Sequence, residues 1–233
     1  GAAGLATAIL ARRAGVPQVL LIDGARRPGA KILVSGGGRC NVTNARVTER
    51  DFHGGSRASI RPVLKGLPVE QTVAFFAEMG VDLHEEPHGK LFPNAGRARV
   101  VLDALLTEAS GLGVVMRDEC RVESIAASGG GFEIRTSRGL IAAPRVVLAT
   151  GGQSLPKSGS DGAGWSMARH LGHTIVPPVP ALVPLLLAPD APLRHEQVSG
   201  IAHEVEIAVR IDGRITERVR GALLWTHLNN VKA

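Results

Sequence analysis

Three glycine-rich stretches hold most of the residues able to do chemistry. The first, Gly1-Ala2-Ala3-Gly4, opens an apolar helical run, and an acid, Asp23, follows about twenty positions after the second glycine. A helix start offers free N–H groups and a partial positive charge to a phosphate, and glycine lets the phosphate approach the backbone. An acid at the end of the next strand can accept hydrogen bonds from ribose hydroxyls, so this spacing points to dinucleotide binding. The second stretch is Lys31-Ile-Leu-Val-Ser35-Gly36-Gly37-Gly38-Arg39-Cys40-Asn41-Val-Thr43-Asn44. Three consecutive glycines expose backbone donors that can wrap a phosphate or a ring edge, and Lys31, Arg39 and Asn41 add donors of their own. The third is Ala149-Thr150-Gly151-Gly152, continuing through Ser160 to Gly164.

The elements that must position these residues follow from periodicity. Ala2 to Ala14 has a helical apolar stripe ended by Gly15 and Pro17, and Val19 to Ile22 is a short apolar run closed by Asp23. Helix then buried parallel strand is the second half of a βαβ unit of the Rossmann type. The chain opens on Gly1 in the middle of such a unit, so a preceding strand is expected, and the chain reads as truncated.

Arg26 to Asn44 is expected as a loop, Val69 to Met79 as a helix stopped by Gly80, and Val81 to Pro93 as a hairpin around Pro87-His88-Gly89. Arg97 to Ala109 is a helix and Val114 to Met116 a strand. Arg121 to Ala127, Gly131 to Ser137 and Leu140 to Ala142 form a meander. Arg145 to Ala149 returns as an apolar strand, and Gly162 to Leu171 is a helix with Gly172 beyond it. Pro177 to Pro189 is a linker, and Glu204 to Ile211 with Arg214 to Arg220 make a second hairpin turned at Asp212-Gly213.

The motifs carry a specific resemblance. Lys31 to Asn44 resembles the K-x-L-x-S-G-x-G-R-C-N-x-T-N signature of the HI0933-type (BaiN/YhiN-like) bacterial flavoproteins. Leu91-Phe92-Pro93 resembles an internal motif of that family, and Ala149 to Gly164 its second glycine-rich motif. The order and spacing agree from Gly1 to about His227.

The resemblance implies a glutathione reductase-like α/β FAD-binding domain, a parallel sheet plus β-meander, over residues 1–172, and the start of an inserted, mostly β domain over 173–233. It implies FAD with its pyrophosphate at Gly1, Ala2, Ala3 and Gly4, its ribose at Asp23 and its adenine beside Val122. The flavin would lie near Ser35, Gly36, Gly37, Gly38, Arg39, Cys40 and Asn41 and near Thr150, Gly151 and Gly152. As local donors beside such a ring, Lys31, Arg39 and Asn41 are expected to stabilise negative charge on its reduced form. NAD(P)H is the expected electron donor. The sequence departs from the family at Asp23, where Glu is commoner, and after His227, where Leu228 to Ala233 does not continue the pattern.

Composition bounds the rest. The 233 residues are 44% hydrophobic and 21% charged, enough apolar material for a packed core. Net charge is +6, which suits anionic partners and leaves RNA open beside a small-molecule substrate. Aromatics are only 3%, which argues against a base-stacking platform. Three functions therefore compete: a flavin oxidoreductase acting on a small metabolite, a flavin reductase acting on uridine in RNA, and a non-catalytic nucleotide-binding module. The two glycine-rich stretches beyond the first would be surplus to the third. Cys40 and Cys120 lie far apart, so Cys40 is expected as a packing or flavin-edge residue rather than half of a redox pair. The eight histidines show no metal-ligand spacing, and His84 and His88 are expected to be solvated beside a turn. No stretch suits a bilayer, because five prolines interrupt Ile175 to Pro189, and a cytoplasmic setting is expected.

Overall fold

A computed structural model describes residues 1–52, 54–154, 156, 159–180 and 200–225. Helix α1, Ala2–Arg13, is rich in alanine and leucine and buries Gly4, Leu5, Ala8 and Ile9. Arg12 and Arg13 in its last turn oppose the negative end of the helix dipole. Strand β1, Leu20–Ile22, follows at once and is half-buried rather than fully buried as expected.

The stretch expected as a loop before the first hairpin contains regular structure. Ala30–Val34 forms a short helix, α2, and Thr43–Asn44 a short strand, β2. The glycines flanking α2 hid it, since Ala30 to Val34 is a single turn stabilised by packing against a later helix rather than by propensity. Helix α3, Arg57–Gly66, is also new. Ile60, Val63 and Leu64 have helical spacing, but Pro62 stands between them, a residue that usually breaks a helix, and none of the helix is buried. Helix α4, Val69–Glu78, turns its Phe75 and Phe76 inward and ends where expected. Gly80 N donates to Ala77 O and Val81 N to Phe76 O, the pairing of a left-handed glycine stop.

Strands β3, Leu83–Glu86, and β4, Lys90–Pro93, form the expected hairpin, and β2 adds to the other edge of β4. Helix α5, Ala98–Gly111, buries Ala98, Val101, Leu102, Leu105 and Ala109. Its packing on α1 and α2 makes the main core, with Leu5, Ile9 and Leu105 almost wholly enclosed. Arg12 locks this contact: its Nε donates to Leu112 O at 2.7 Å and its Nη1 to Val16 O at 2.8 Å.

Strand β5, Val115–Arg117, pairs parallel with β1, Leu20 opposite Val115. The alignment continues past the strand ends, because Asp23 N donates to Arg117 O and Cys120 N to Asp23 O. Strands β6, Val122–Ser128, β7, Gly131–Thr136, and β8, Gly139–Ala143, form the antiparallel meander. Helix α6, Ala163–His170, lays Met167 against Ile125 and Ile134 of that meander.

Arg145 to Ala149, expected as a strand, is not one. A strand exists by its ladder, and among the described residues none pairs with this run, which leaves Val147 67% exposed.

The chain divides into two compact units, Gly1–Val179 and Pro180–Ala233. In the second, β9, Ala202–Ile211, and β10, Arg214–Leu224, form the expected antiparallel hairpin. Asp212 (φ 49°) and Gly213 (φ 77°) make the left-handed turn that suits its twist. The expected linker has no regular structure over Pro177 to Pro180. Its remainder, residues 181–189, lies outside the described residues, as does the tail from Thr226. Among the described residues no helix is long and apolar enough to cross a membrane.

Candidate dinucleotide and flavin site

The start of α1 carries no side-chain cap and no acid in its first turn. The first N–H groups of a helix have no partner within the helix itself. Gly4 is held close: an added Cβ would lie 3.1 Å from Leu21 Cδ1 on β1 and 3.6 Å from Ala149 Cβ. Asp23 sits at the mouth of this turn. Its Oδ1 accepts from Ala25 N at 2.9 Å. Val122 is near the same end. It begins β6 opposite Thr136, and an added Cβ at Gly24 would lie 3.5 Å from the Cα of its neighbour Arg121.

The second stretch holds four left-handed residues, interrupted by Arg39 at φ −97°. Gly36, Gly37 and Gly38 have φ of 54°, 66° and 84°, and Cys40 follows at 67°. Ser35 O accepts from Cys40 N at 3.0 Å, which closes the loop, and Ser35 Oγ donates to Ile32 O. Gly37 faces open space, whereas a Cβ on Gly36 would fall 2.7 Å from Asn41 N and 2.8 Å from Phe92 Cε1. Cys40 is buried within the main core, and both cysteines are free thiols. Packing explains Cys40, one of the two roles expected for it.

The three polar side chains proposed for the ring differ in what they already hold. Arg39 stacks over Phe92 at 4.3 Å and donates to Glu86 Oε1 at 2.5 Å. That hydrogen bond from Arg39 is the main reason the Glu86 carboxyl lies below the usual carboxylate range. Asn41, with its amide oriented to match its neighbours, donates to Thr43 O at 2.7 Å and Leu91 O at 3.2 Å. Lys31 alone reaches across to the third stretch, where its Nζ donates to Ser154 Oγ at 2.8 Å and Ser160 Oγ at 2.9 Å.

That third stretch is braced by the start of α6. Gly162 N donates to Gly152 O, and the Trp165 ring lies 3.5 Å from where a Gly152 Cβ would sit. An added Cβ at Gly164 would fall 2.0 Å from Thr150 Oγ1. Arg121 meets Asp161 at 2.5 Å, and Asp161 also accepts from Ala163 N. The Arg121 hydrogen bond, more than any other cause, draws the Asp161 carboxyl below its ordinary value.

Sequence reasoning therefore missed Glu86, Asp161, Ser154 and Ser160 as partners. The two serines lay inside the third motif without a signal of their own. Glu86 is an acid in a short strand, with nothing in sequence to link it to Arg39. His84 is not merely solvated, since its Nδ1 lies 3.2 Å from Asn94 Oδ1 and its Nε2 3.4 Å from Glu86 Oε1.

Open clefts lie among the described residues. One, about 440 Å³, lies between Arg121–Ile125 and α6 and includes Val122. Another, about 470 Å³, lies beside Asn44–Val47 and Phe52. Neither is lined by Gly36–Gly38 or Thr150–Gly152; of these, Gly36–Gly38, Thr150 and Gly151 are exposed and Gly152 is half-buried.

Residues 1–223 match the model of the HI0933-like protein Rossmann domain. The chain belongs to this family. Among curated relatives, it is 39% identical over 186 residues to the 3-dehydro-bile acid delta(4,6)-reductase of Clostridium scindens, covering 79% of this chain and 45% of that protein. It is 31% identical over 227 residues to the ribosomal RNA dihydrouridine synthase of Escherichia coli, covering 97% of this chain and 55% of that one. The chain spans about half the length of the curated relatives it matches. Among solved structures, the amino acid oxidase NikD (Tyr258Phe mutant, open form) aligns with a TM-score of 0.36 at 18% identity, over 66% of this chain and 50% of that one. Glycine oxidase from Geobacillus kaustophilus aligns at 0.35 and 13%, over 73% and 55%.

Proposed function

We propose that this chain is the dinucleotide-binding part of an FAD-dependent oxidoreductase that adds hydrogen across a carbon–carbon double bond. The carrying observation is the α1 start: Gly4 packs it tightly on β1, its first turn holds no acid, and Asp23 follows directly on the end of β1. A helix start packed through glycine on a parallel strand, with an acid after that strand, fits a pyrophosphate followed by a ribose. The backbone of Gly1 to Gly4 would hold the pyrophosphate, Asp23 the ribose hydroxyls and Val122 the adenine. Ser35 to Asn41 and Thr150 to Gly152 would flank the flavin. Residues 1–172 would then be the FAD-binding domain, and 173–233 the start of an inserted β-rich domain. When bound, FAD supplies hydride acceptance and donation, and the protein supplies orientation and charge. NAD(P)H is the proposed donor.

Family membership supports this reading, and the names of the relatives suggest the substrate chemistry. One relative is named a 3-dehydro-bile acid delta(4,6)-reductase and another a ribosomal RNA dihydrouridine synthase, and we read both names as hydrogen added across a double bond. A small-molecule substrate is the first reading. RNA is the second, favoured by the two relatives named for ribosomal RNA and by the +6 charge.

The test is a visible spectrum of the purified protein reconstituted with FAD, followed by anaerobic titration with NADH and NADPH. A flavin spectrum that bleaches is expected. A protein that stays colourless overturns the proposal. Asp23→Ala should cost about tenfold in FAD affinity, the loss of a charged hydrogen bond, and leave FMN almost unaffected. Salt-dependent binding to RNA separates the second substrate class from the first.

A further inference from the structure

Lys31 and Arg39 both belong to the second motif, yet their charges stand in different situations. Glu86 meets the Arg39 guanidinium at 2.5 Å, so that charge is already balanced. Lys31 donates to two neutral hydroxyls, and among the described residues no carboxylate pairs with it. An ammonium group has three donors. Two are spent on Ser154 and Ser160, and the third is left for a group outside this set.

The two serines also fix where the charge sits. Ser160 is 3% exposed and Lys31 is half-buried, so the ammonium is held on one side by a rigid hydroxyl. A lysine stem is otherwise flexible, and holding its tip costs side-chain entropy. A cation held this way, partly removed from water and lacking a counter-ion, is suited to an anion that arrives from outside.

Position selects among the anions of the proposed cofactor. The pyrophosphate site is the α1 start, whereas Lys31 reaches Ser154, just past Thr150–Gly152, where the flavin is proposed to lie. We propose that Lys31 is the cation that takes up the negative charge of the two-electron-reduced flavin ring, and that Ser154 and Ser160 aim it. This rests on the FAD reading above. Arg39 is instead a brace of the glycine loop, held between Phe92 and Glu86.

The experiment compares flavin-loaded wild type with Lys31→Gln, Lys31→Arg and Ser160→Ala, with Arg39→Gln beside them. Midpoint potentials are read by anaerobic dithionite titration against a reference dye, and FAD affinities by fluorescence. Lys31→Gln keeps a donor for the serines but removes the charge. It should weaken binding of reduced relative to oxidised flavin about tenfold, a fall of about 30 mV for a two-electron couple. Lys31→Arg should restore most of the shift, and Ser160→Ala should give a smaller fall of the same sign. Arg39→Gln should move the potential less than Lys31→Gln.

A Lys31→Gln protein with unchanged potential but weakened FAD binding would place the charge on a phosphate and overturn the inference. Unchanged potential and unchanged affinity would make Lys31 a structural bridge and overturn it as well. Should Lys31→Gln fail to fold, Ser160→Ala still decides, since an unchanged potential there removes the aiming role. A wild type that takes up no FAD overturns the underlying reading instead, and is told apart by its own spectrum.

Discussion

The second and third glycine-rich stretches use glycine for different physical reasons. At Gly36 the backbone demands it. The residue is left-handed at 54°, and an added Cβ would fall 2.7 Å from the main-chain nitrogen of Asn41. At Gly164 the backbone is ordinary helix, and the obstacle is one side chain, Thr150 Oγ1, 2.0 Å from the added carbon. A main-chain atom locked in its own turn cannot yield, whereas a side chain can be shortened. The second stretch is therefore shaped by its own conformation, and the third by the helix that packs on it.

The largest effect is expected at the backbone-limited position. Gly36→Ala should cost about 2–5 kcal/mol, combining left-handed strain with overpacking. For a chain of this size that is roughly a 10 °C fall in Tm, readable by circular dichroism. Phe92→Leu should not rescue it, because the Asn41 nitrogen remains in the way. A rescue would mean that the contact with Phe92, and not the main chain, decides this loop.

The side-chain-limited position should behave otherwise. Gly164→Ala alone should cost about 1–3 kcal/mol. In a Thr150→Ala background most of that cost should vanish, because the Oγ1 and Cγ2 that collide are gone and only Cβ remains, at 3.0 Å. A double-mutant cycle by denaturant melts should return a coupling of about 0.5–3 kcal/mol. Strict additivity would show that the two stretches are not limited in different ways.

The smallest effect concerns the ion pair behind the third stretch. Arg121 lowers the Asp161 carboxyl below its ordinary value of 3.8. A depressed acid lends stability that is complete above the unfolded value and is lost as pH falls through the folded one. The gap in Tm between wild type and Arg121→Gln should therefore be flat above about pH 5 and close in more acid solution. The pair is partly exposed, so the gap should also shrink with added salt. A gap that persists at the acid end would show that Arg121 acts by packing its stem rather than by charge.

Much of the fold was legible because its signals are local. The α4 stop at Gly80, the hairpin at Pro87–Gly89, the meander and the turn at Asp212-Gly213 all stand in the order that periodicity and turn chemistry dictate. The family was legible in Lys31 to Asn44, and the match over residues 1–223 bears it out. Arg145 to Ala149 failed as a strand, since an apolar run states a preference while a ladder needs a partner.

What the sequence by itself determined is the roster: which residues are glycine, which carry charge, and the local turns they impose. Pairing was decided only by the tertiary structure. Nothing in the spacing of Arg39, Glu86 and Phe92 says that a cation will be stacked and neutralised there. Nothing near Lys31 says that its ammonium will cross to Ser154 and Ser160 and, among the described residues, pair with no carboxylate. Local preference is written over a few neighbouring residues, but a charge acquires its environment from segments far away in the chain. Two cations of one motif thus came, after folding, to hold different partners: Arg39 a carboxylate, Lys31 two hydroxyls.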